Sequence, residues 1–251
     1  MVNTVQQCDF SEGSPLGVKE RQEREREAVS RAILDAARDL FVAEGYQNVS
    51  IRKIADRIEY SPAAIYSYFP SKDDIFFALA EEGFHLLFAS DCPGEAAVAA
   101  DAGEPIDGVR AAFWHFYQFS RKHPEYFALM FVDRSVPRIT DLRERFSFIS
   151  SMKERLTTLI SASAEAGQLP AGTDPHTVFR ILSTAMIGAA VVHLSNRFAP
   201  GEDADALARD TLEATLTGLR SGIDFKFRPS SSCGNPSALS AGAPSAKADR
   251  S

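Results

Sequence analysis

The residues best suited to chemistry lie between positions 50 and 72, where cations and hydroxyls are concentrated. Four cations stand against two carboxylates in this stretch, which gives it a net charge of +2. Arginine and lysine bind phosphate oxygens, arginine also reaches guanine edges, and the hydroxyl of Tyr66 is a further donor to phosphate. The chemistry expected here is recognition of DNA. The four cations are Arg52, Lys53, Arg57 and Lys72.

Three short helices must position these side chains. Ser50, Ser61 and Ser71 are each suited to cap a helix, and Pro62 fits the first helical position after Ser61. Asp74 completes a capping box with Ser71, and the capped helix ends at Ser50 and Ser71 offer N–H groups to anions. Two helices joined by a tight turn predict a helix-turn-helix. The third helix places Ile65, Tyr68 and Phe69 on one face and Pro62, Ala63, Tyr66 and Ser67 on the other.

Two runs within this region, Val49 to Ala55 and Tyr60 to Asp74, closely resemble the signature of the TetR/AcrR family of bacterial transcriptional regulators. The Ser-Pro helix start, the Tyr-x-x-Phe motif and the Ser-Lys helix opening occur in register, and the match covers about 26–75. The resemblance implies a homodimer whose subunits each read half of a palindromic operator in double-stranded DNA.

The resemblance also assigns roles to individual positions. Tyr66 and Lys72 match phosphate contacts, Arg52 matches a contact to bases or backbone, and the third helix matches the recognition helix. The family often has Gly and Thr where this chain has Ala63 and Ala64, which leaves fewer hydrogen bonds to bases. The predicted DNA-binding residues are Ser50, Arg52, Lys53, Pro62, Ala63, Ala64, Tyr66, Ser67, Tyr68 and Lys72.

Simpler interpretations of this region stay open. Phe69 is expected to be a core aromatic, and Tyr68 is equally compatible with the core or with DNA. Taken alone, Arg52 and Lys53 would be assigned to a solvated charged face.

Beyond this region the helical period recurs and strand-like alternation never persists, so the predicted fold class is all-α. An N-terminal three-helix helix-turn-helix domain is joined to a larger helical ligand-binding and dimerisation domain. Gly45 is expected to end the first helix in a left-handed conformation. The predicted segments are a disordered tail (1–18), the DNA-binding domain (19–70), a connecting helix (71–90), the ligand-binding and dimerisation domain (105–225) and a second disordered tail (226–251).

Aromatic and methionine side chains are frequent in the second domain, where five aromatics fall within residues 113–119. They suit a cavity for a flat or flexible apolar effector, with His115, Tyr117 and Gln118 as polar anchors. Ordinary aromatic core packing is the alternative for each residue. The predicted ligand-binding residues are Phe113, Trp114, Tyr117, Gln118, Phe127, Met130, Phe131, Met152, Phe179 and Met186.

The last two predicted helices combine small residues with a leucine stripe and match the usual dimer helices of the family by order and length. Packing within one chain is the alternative. The predicted interface residues are Ala185, Gly188, Ala189, Leu212, Leu216 and Leu219.

These features predict a regulator, most simply a repressor, that a small hydrophobic effector releases from DNA. An effector against Trp114, Tyr117 and Phe131 would shift the connecting helix and change the spacing of the recognition helices. An activator and a ligand-free architectural protein are alternatives. An enzyme is rejected, because metalloprotease, nucleophile-elbow, P-loop and Glu-x-x-His motifs are missing from the sequence.

Composition sets further bounds. With 45% hydrophobic residues among 251, the chain can bury a core, and no apolar run reaches the 18 residues of a membrane span. An apolar leader segment is not apparent, and three separated cysteines predict neither a disulfide framework nor a zinc site. We expect a cytoplasmic protein without cofactor or membrane contact. The net charge of −7 opposes DNA binding, so only a small basic surface is expected to meet the duplex.

Overall fold

The computed structural model describes residues 15–88, 103–137, 147–223 and 225–227, and these are helical with no strand. The predicted all-α class is therefore confirmed. The helices are α1 (Pro15–Glu44), α2 (Ile51–Arg57), α3 (Pro62–Tyr66), α4 (Lys72–Leu87), α5 (Pro105–Lys122), α6 (Pro124–Phe127), α7 (Ser147–Glu165), α8 (Pro175–Leu194) and α9 (Ala204–Arg220), with a 3-10 turn at Tyr46–Asn48 and a π-helical turn at Ala128–Val132.

Serine caps begin the helices that follow α1. The Ser50 hydroxyl accepts a hydrogen bond from the Lys53 N–H at 3.2 Å, and Ser61 caps α3 with the same geometry. Ser71 accepts from the Asp74 N–H at 3.1 Å, so it caps α4 as expected, and its hydroxyl donates to the Asp74 carboxylate at 2.6 Å. This side-chain bond differs from the expected capping box, in which the carboxylate accepts from the backbone N–H of the cap residue. Each cap contributes about 1 kcal/mol, so local sequence alone sets where these helices start.

One glycine is required where α1 turns into the helix-turn-helix. Gly45 has φ +80°, a conformation that disfavours residues with a side chain, and its N–H donates to Phe41 O at 2.9 Å. The turn directs Tyr46 back into the core, where its ring lies 5.0 Å from that of Phe41. The turn thus brings the residues that follow α1 back onto its buried face.

The core of this domain consists of aliphatic and aromatic side chains from every one of its helices. Ile33, Ile54 and Ile65 are fully buried, and they come from α1, α2 and α3 respectively. Burial of α3 through Ile65 leaves the opposite face of that short helix in solvent. Only one face of α3, the predicted recognition helix, is therefore packed against the rest of the domain.

The second domain is a bundle in which α5 packs against α7, α8 and α9, while α8 and α9 pack against each other. By length and composition α8 is apolar enough to cross a membrane, a property shared by core helices of soluble proteins. Only 28% of its most apolar 18-residue window is buried within this chain. An apolar helix with so much uncovered surface is unusual unless something else packs on it.

Some predicted boundaries need correction. α1 begins at Pro15, so residues 15–18 are helical rather than part of a disordered tail, since proline suits a first turn and charged residues continue the helix. The helix predicted from about 140 is described only from Ser147. Most of both predicted tails, the loop near 91–102 and residues 140–146 lie outside the described residues.

Candidate DNA-binding surface and its connection to the second domain

The outer face of α3 carries the candidate recognition surface. Pro62, Ala63 and Ser67 are exposed, and 54% of Tyr66 is accessible to solvent. Ser67 donates to Ala64 O at 2.7 Å, which holds its hydroxyl at the helix end. The small side chains allow the backbone to approach base edges, and the tyrosine hydroxyl is free to extend toward a phosphate.

The second helix contributes the neighbouring cations. Arg52 and Lys53 are both exposed at the start of α2, beside the capping Ser50. The ammonium of Lys53 pairs with the carboxylate of Glu44, so part of its charge is compensated within the chain. Arg52 is thus the better placed of the two for an external anion.

Lys72 has a different environment from the one expected of a phosphate contact. Its ammonium donates to Tyr46 O and to Val49 O, both at 2.9 Å, and lies 4.1 Å from the centre of the Tyr46 ring. It therefore fastens the start of α4 to the turn before α2. Contact with DNA through Lys72 stays a prediction.

Tyr68 lies on the inner side of the recognition element. It is partly buried and packs against the core, as does Phe69. The guanidinium of Arg26 lies 5.8 Å from the centre of the Tyr68 ring. These contacts favour the packing role for Tyr68, while Phe69 is the core aromatic that was expected.

A polar network joins the DNA-binding domain to α4 and α6. Arg31 on α1 binds both carboxylate oxygens of Glu82 on α4, at 2.7 and 3.0 Å. Arg38 lies 5.5 Å from the centre of the Tyr126 ring and donates to its hydroxyl at 3.4 Å. Burial disfavours the ionised form of Glu82, but its hydrogen bonds to Arg31 and Tyr126 outweigh this and lower its pKa.

This pair predicts a pH-dependent stability. With the pKa of Glu82 lowered in the folded protein, the pair stabilises above the unfolded pKa of about 4.3, and the effect is lost as pH falls through the folded pKa. We expect Glu82→Gln to lower the free energy of unfolding by about 1 kcal/mol at pH 7, with the difference shrinking below pH 4.5. Urea unfolding of both proteins between pH 7 and pH 3 measures it.

The matched control is Glu23→Gln, since Glu23 is exposed on α1. That variant should track the wild type at every pH. An unfolding curve of Glu82→Gln that coincides with the wild type at pH 7 would contradict the assigned role of the pair.

A second link runs through the π-helical turn. This segment ends at Asp133, whose carboxylate accepts from the Tyr46 N–H at 3.3 Å and from the Ser135 N–H at 2.8 Å. Burial disfavours ionisation of Asp133, but the hydrogen bonds from the Ser135 hydroxyl and from the two N–H groups outweigh it and lower its pKa. The Tyr46 hydroxyl in turn donates to Asp73 on α4. Tyr46 is therefore bonded both to the end of the π turn and to the start of α4.

Gly83 shows how tightly α4 meets the π turn. A Cβ atom at this position would lie 2.4 Å from the sulfur of Met130 and 3.0 Å from the Tyr126 ring. A larger residue at this position would require the Met130 side chain to move. α4 and the segment 126–133 are therefore closely packed.

Aromatic rings gather on the far side of the π turn. Phe131 lies 5.0 Å from Phe127, 5.2 Å from Phe116 and 6.1 Å from Phe84, measured between ring centres. Four of the rings in this group are only partly buried. We call it the aromatic cluster, and its members are Phe84, Phe88, Phe116, Phe127, Phe131 and Phe148.

The predicted ligand-binding residues do not line one site. Phe127, Met130 and Phe131 lie at the π turn, whereas Phe113 packs on Phe179, with 6.1 Å between ring centres. Of the others in the predicted set, Met186 is buried on α8, while Met152 and Gln118 are partly buried on α7 and α5.

Three predicted effector contacts and anchors have partners within the chain. Tyr117 is fully buried, and its hydroxyl donates to Asp205 at 2.9 Å, since α9 begins beside it. The Arg209 guanidinium lies 3.9 Å from the centre of the Trp114 ring, at a groove of about 330 Å³ between α5 and α9. A ring nitrogen of His115 lies 3.0 Å from Leu87 O. These residues join α5 to α9 and α4, and contact of an effector with them stays a prediction.

The prediction that the leucines of α9 lie at a dimer interface needs correction. Leu212, Leu216 and Leu219 are between 1% and 3% exposed in the single chain, because that face of α9 packs against α8 and α5. The small residues differ, since Gly188 is exposed and Ala185 and Ala189 are partly exposed. Leucines at helical spacing identify a buried face without showing which chain buries it.

Several residues of the aromatic cluster and of the polar contacts between the two domains were not selected from the sequence. Phe84 on α4 and Phe88, which follows its last residue, are spaced by four residues, and this spacing is detectable in the sequence. Phe148 joins them only through the fold. Glu82 and Asp133 give no sequence signal, because their partners lie 51 and 87 residues away.

The exposed recognition helix and the helical second domain define a helix-turn-helix DNA-binding protein. A model for "Bacterial regulatory proteins, tetR family" matches residues 33–79, and one for a "Tetracyclin repressor-like, C-terminal domain" matches residues 109–215. The chain belongs to the TetR family of bacterial regulators. It is a transcriptional regulator and not an enzyme.

Two curated relatives share part of this chain. The HTH-type transcriptional repressor Rv1474c of Mycobacterium tuberculosis is 44% identical over 52 residues, which are 21% of this chain and 28% of that protein. The HTH-type transcriptional repressor NicS of Pseudomonas putida is 28% identical over 98 residues, which are 39% of this chain and 44% of that protein. The chain thus spans less than half the length of the curated relatives it matches.

Solved structures extend the likeness over both domains. FadR from Bacillus subtilis, solved in complex with stearoyl-CoA, has a TM-score of 0.59 and 17% identity. The alignment covers 75% of this chain and 98% of that one. At this identity the likeness establishes the fold.

Proposed function

We propose that this protein is a repressor that binds a palindromic operator as a homodimer and is released from it by a small apolar effector. The observation that carries the proposal is the exposed outer face of α3, held by burial of Ile65 on its other side. Entry into the major groove requires a short helix that is packed on one face and exposed on the other. The partial likeness to two named repressors supports the direction of control.

Specific contacts follow from the side chains on this surface. Tyr66 donates its hydroxyl to a phosphate, and Arg52 binds a guanine edge or a neighbouring phosphate. Ala63 and Ala64 place methyl groups where thymine methyl groups lie, so sequence discrimination also depends on DNA shape. The basic area is small, and non-specific affinity is correspondingly weak.

A homodimer is supported by the uncovered surface of α8. Thr184, Gly188 and Val192 are exposed at intervals of four residues and therefore lie along one stripe. Leu207 on the neighbouring α9 is 46% exposed, which adds apolar area beside that stripe. A second copy packed on this surface gives a four-helix bundle and sets two recognition helices about one DNA turn, or a small multiple of it, apart.

The effector is proposed to act at the aromatic cluster. Its partly buried rings suit an apolar molecule, and Phe131 belongs to the π turn that ends at Asp133. Displacement of Phe131 shifts Asp133 against Tyr46 and so reorients the helix-turn-helix. The effector must bind the shifted state more tightly than the DNA-binding state, since equal affinity would change nothing.

DNA binding by variants tests the recognition surface. We expect Arg52→Gln and Tyr66→Phe each to weaken binding to a selected duplex by about 1–3 kcal/mol, or roughly five- to 150-fold. The probe is a 40-base-pair duplex enriched by the wild-type protein from a randomised pool, and fluorescence anisotropy gives the affinity. Arg220→Gln, the same change at the end of α9, should bind like the wild type.

The same titration tests the response to an effector. Stearoyl-CoA and free aromatic acids are added to the preformed complex, and release by one class identifies the effector chemistry. If the wild type enriches no duplex from the pool, the regulator proposal fails. If it enriches a duplex that no apolar compound releases, the effector part fails alone.

A further inference from the structure

A groove of about 740 Å³ separates the first half of α1 from the end of the helix-turn-helix. One wall belongs to α1 and the other to the turn before α3 and the residues that end it. The lining residues are Gln22, Glu25, Arg26, Ala28, Val29, Tyr60, Ser67 and Tyr68. Ser67 also lies on the exposed face of the recognition helix, so the groove is continuous with the proposed DNA surface.

The α1 wall lies beyond the packed part of the helix. The first fully buried residue of α1 is Ile33, whereas residues 17–28 are exposed. At 1.5 Å per residue, Arg26 lies about 10 Å along the helix from Ile33. A polar helical extension contributes little to the core, and its position beside Ser67 and Tyr68 calls for another role.

Arg26 is the arginine of α1 that lines the groove. Arg21 pairs with Glu25 at 2.9 Å, and Arg31 pairs with Glu82. Within the described ranges Arg26 has no carboxylate at ion-pair distance, and its guanidinium rests over the Tyr68 ring. Its charge is thus held next to the recognition helix and is left for an external anion.

We propose that Arg26 binds a phosphate of the DNA strand that flanks the half-site, which extends the interface from the helix-turn-helix onto α1. A strand that passes Ser67 reaches the groove next, and an exposed guanidinium there matches its charge. Glu25 also faces the groove, but its pairing with Arg21 offsets its charge. This inference rests on the proposed DNA-binding function.

The salt dependence of binding isolates this contact. Arg26→Gln removes one phosphate contact per subunit, so the slope of log K against log salt should fall in magnitude by about 1.8 for the dimer. Between 50 mM and 200 mM salt, the deficit of the variant against the wild type should therefore shrink about twelvefold. The probe is the 40-base-pair duplex enriched by the wild type, measured by fluorescence anisotropy.

Two further variants make the result specific. Arg24→Gln makes the same charge change on the same helix, at an exposed arginine outside the groove lining, and its slope should stay near that of the wild type. Arg26→Lys keeps the cation and should recover most of the slope. Equal losses in Arg24→Gln and Arg26→Gln, or a wild-type slope in Arg26→Gln, would overturn the inference. If the wild-type protein enriches no duplex from the pool, the proposed DNA-binding function fails, and not the role of Arg26 alone.

Discussion

Replacing Phe127 by alanine is expected to lower the free energy of unfolding by about 3–5 kcal/mol, the largest single effect on stability that we predict. The ring is fully buried and lies between 5.0 and 6.5 Å from the rings of Phe116, Phe119 and Phe131. Its removal takes apolar area from the core and leaves a cavity where α5 meets the π turn. A domain with a total stability of about 5–15 kcal/mol would lose a large share of it.

Urea unfolding followed by circular dichroism measures this effect. Val132→Ala is the matched control, because Val132 lies in the adjoining π turn and is 40% exposed. We expect it to stay within about 0.5 kcal/mol of the wild type. Equal losses in both variants would mean that Phe127 is not the centre of packing at this junction.

The second large effect concerns DNA affinity. We expect Gly188→Glu to convert the proposed dimer to a monomer and to weaken operator binding by about a hundredfold to ten-thousandfold, because two linked recognition helices bind far more tightly than one. A glutamate on the exposed stripe of α8 would place two charges against each other in an apolar interface. Analytical ultracentrifugation gives the assembly state, and anisotropy with the selected duplex gives the affinity.

This substitution separates assembly from folding. A Cβ atom at Gly188 would meet nothing within 4 Å in the single chain, and glutamate favours a helix more than glycine by about 0.5–1 kcal/mol. The monomer should therefore remain folded. Thr158→Glu introduces the same charge at an exposed position of α7 and should leave assembly unchanged. A Gly188→Glu protein that sediments as a dimer and binds normally would place the interface elsewhere.

Local sequence was sufficient for the elements that carry the DNA-binding surface. A serine cap depends on the backbone N–H three residues further on, and a glycine turn depends only on the conformation that glycine itself can adopt. Both features can therefore be predicted from neighbouring residues, without knowledge of the fold. The buried face of α3 follows from Ile65 in the same way. These features explain why the helix-turn-helix could be assigned residue by residue.

Long-range contacts explain where sequence reasoning was insufficient. The hydroxyl of Tyr117 meets Asp205, 88 residues away, and nothing near Tyr117 indicates that its partner lies in the chain rather than in a ligand. The leucines of α9 have the period of an interface but are covered by their own chain. The π turn at 128–132 uses residues that would equally form an ordinary helix.

The contact between Trp114 and Arg209 gives the molecule an optical property. The chain has one tryptophan, and its ring lies under a guanidinium at the seam between α5 and α9. All indole emission therefore comes from a single place, and displacement of α9 relative to α5 changes the polarity around it. A conformational response of the second domain can be followed as a change in colour or intensity of this emission, without a label attached to protein or DNA.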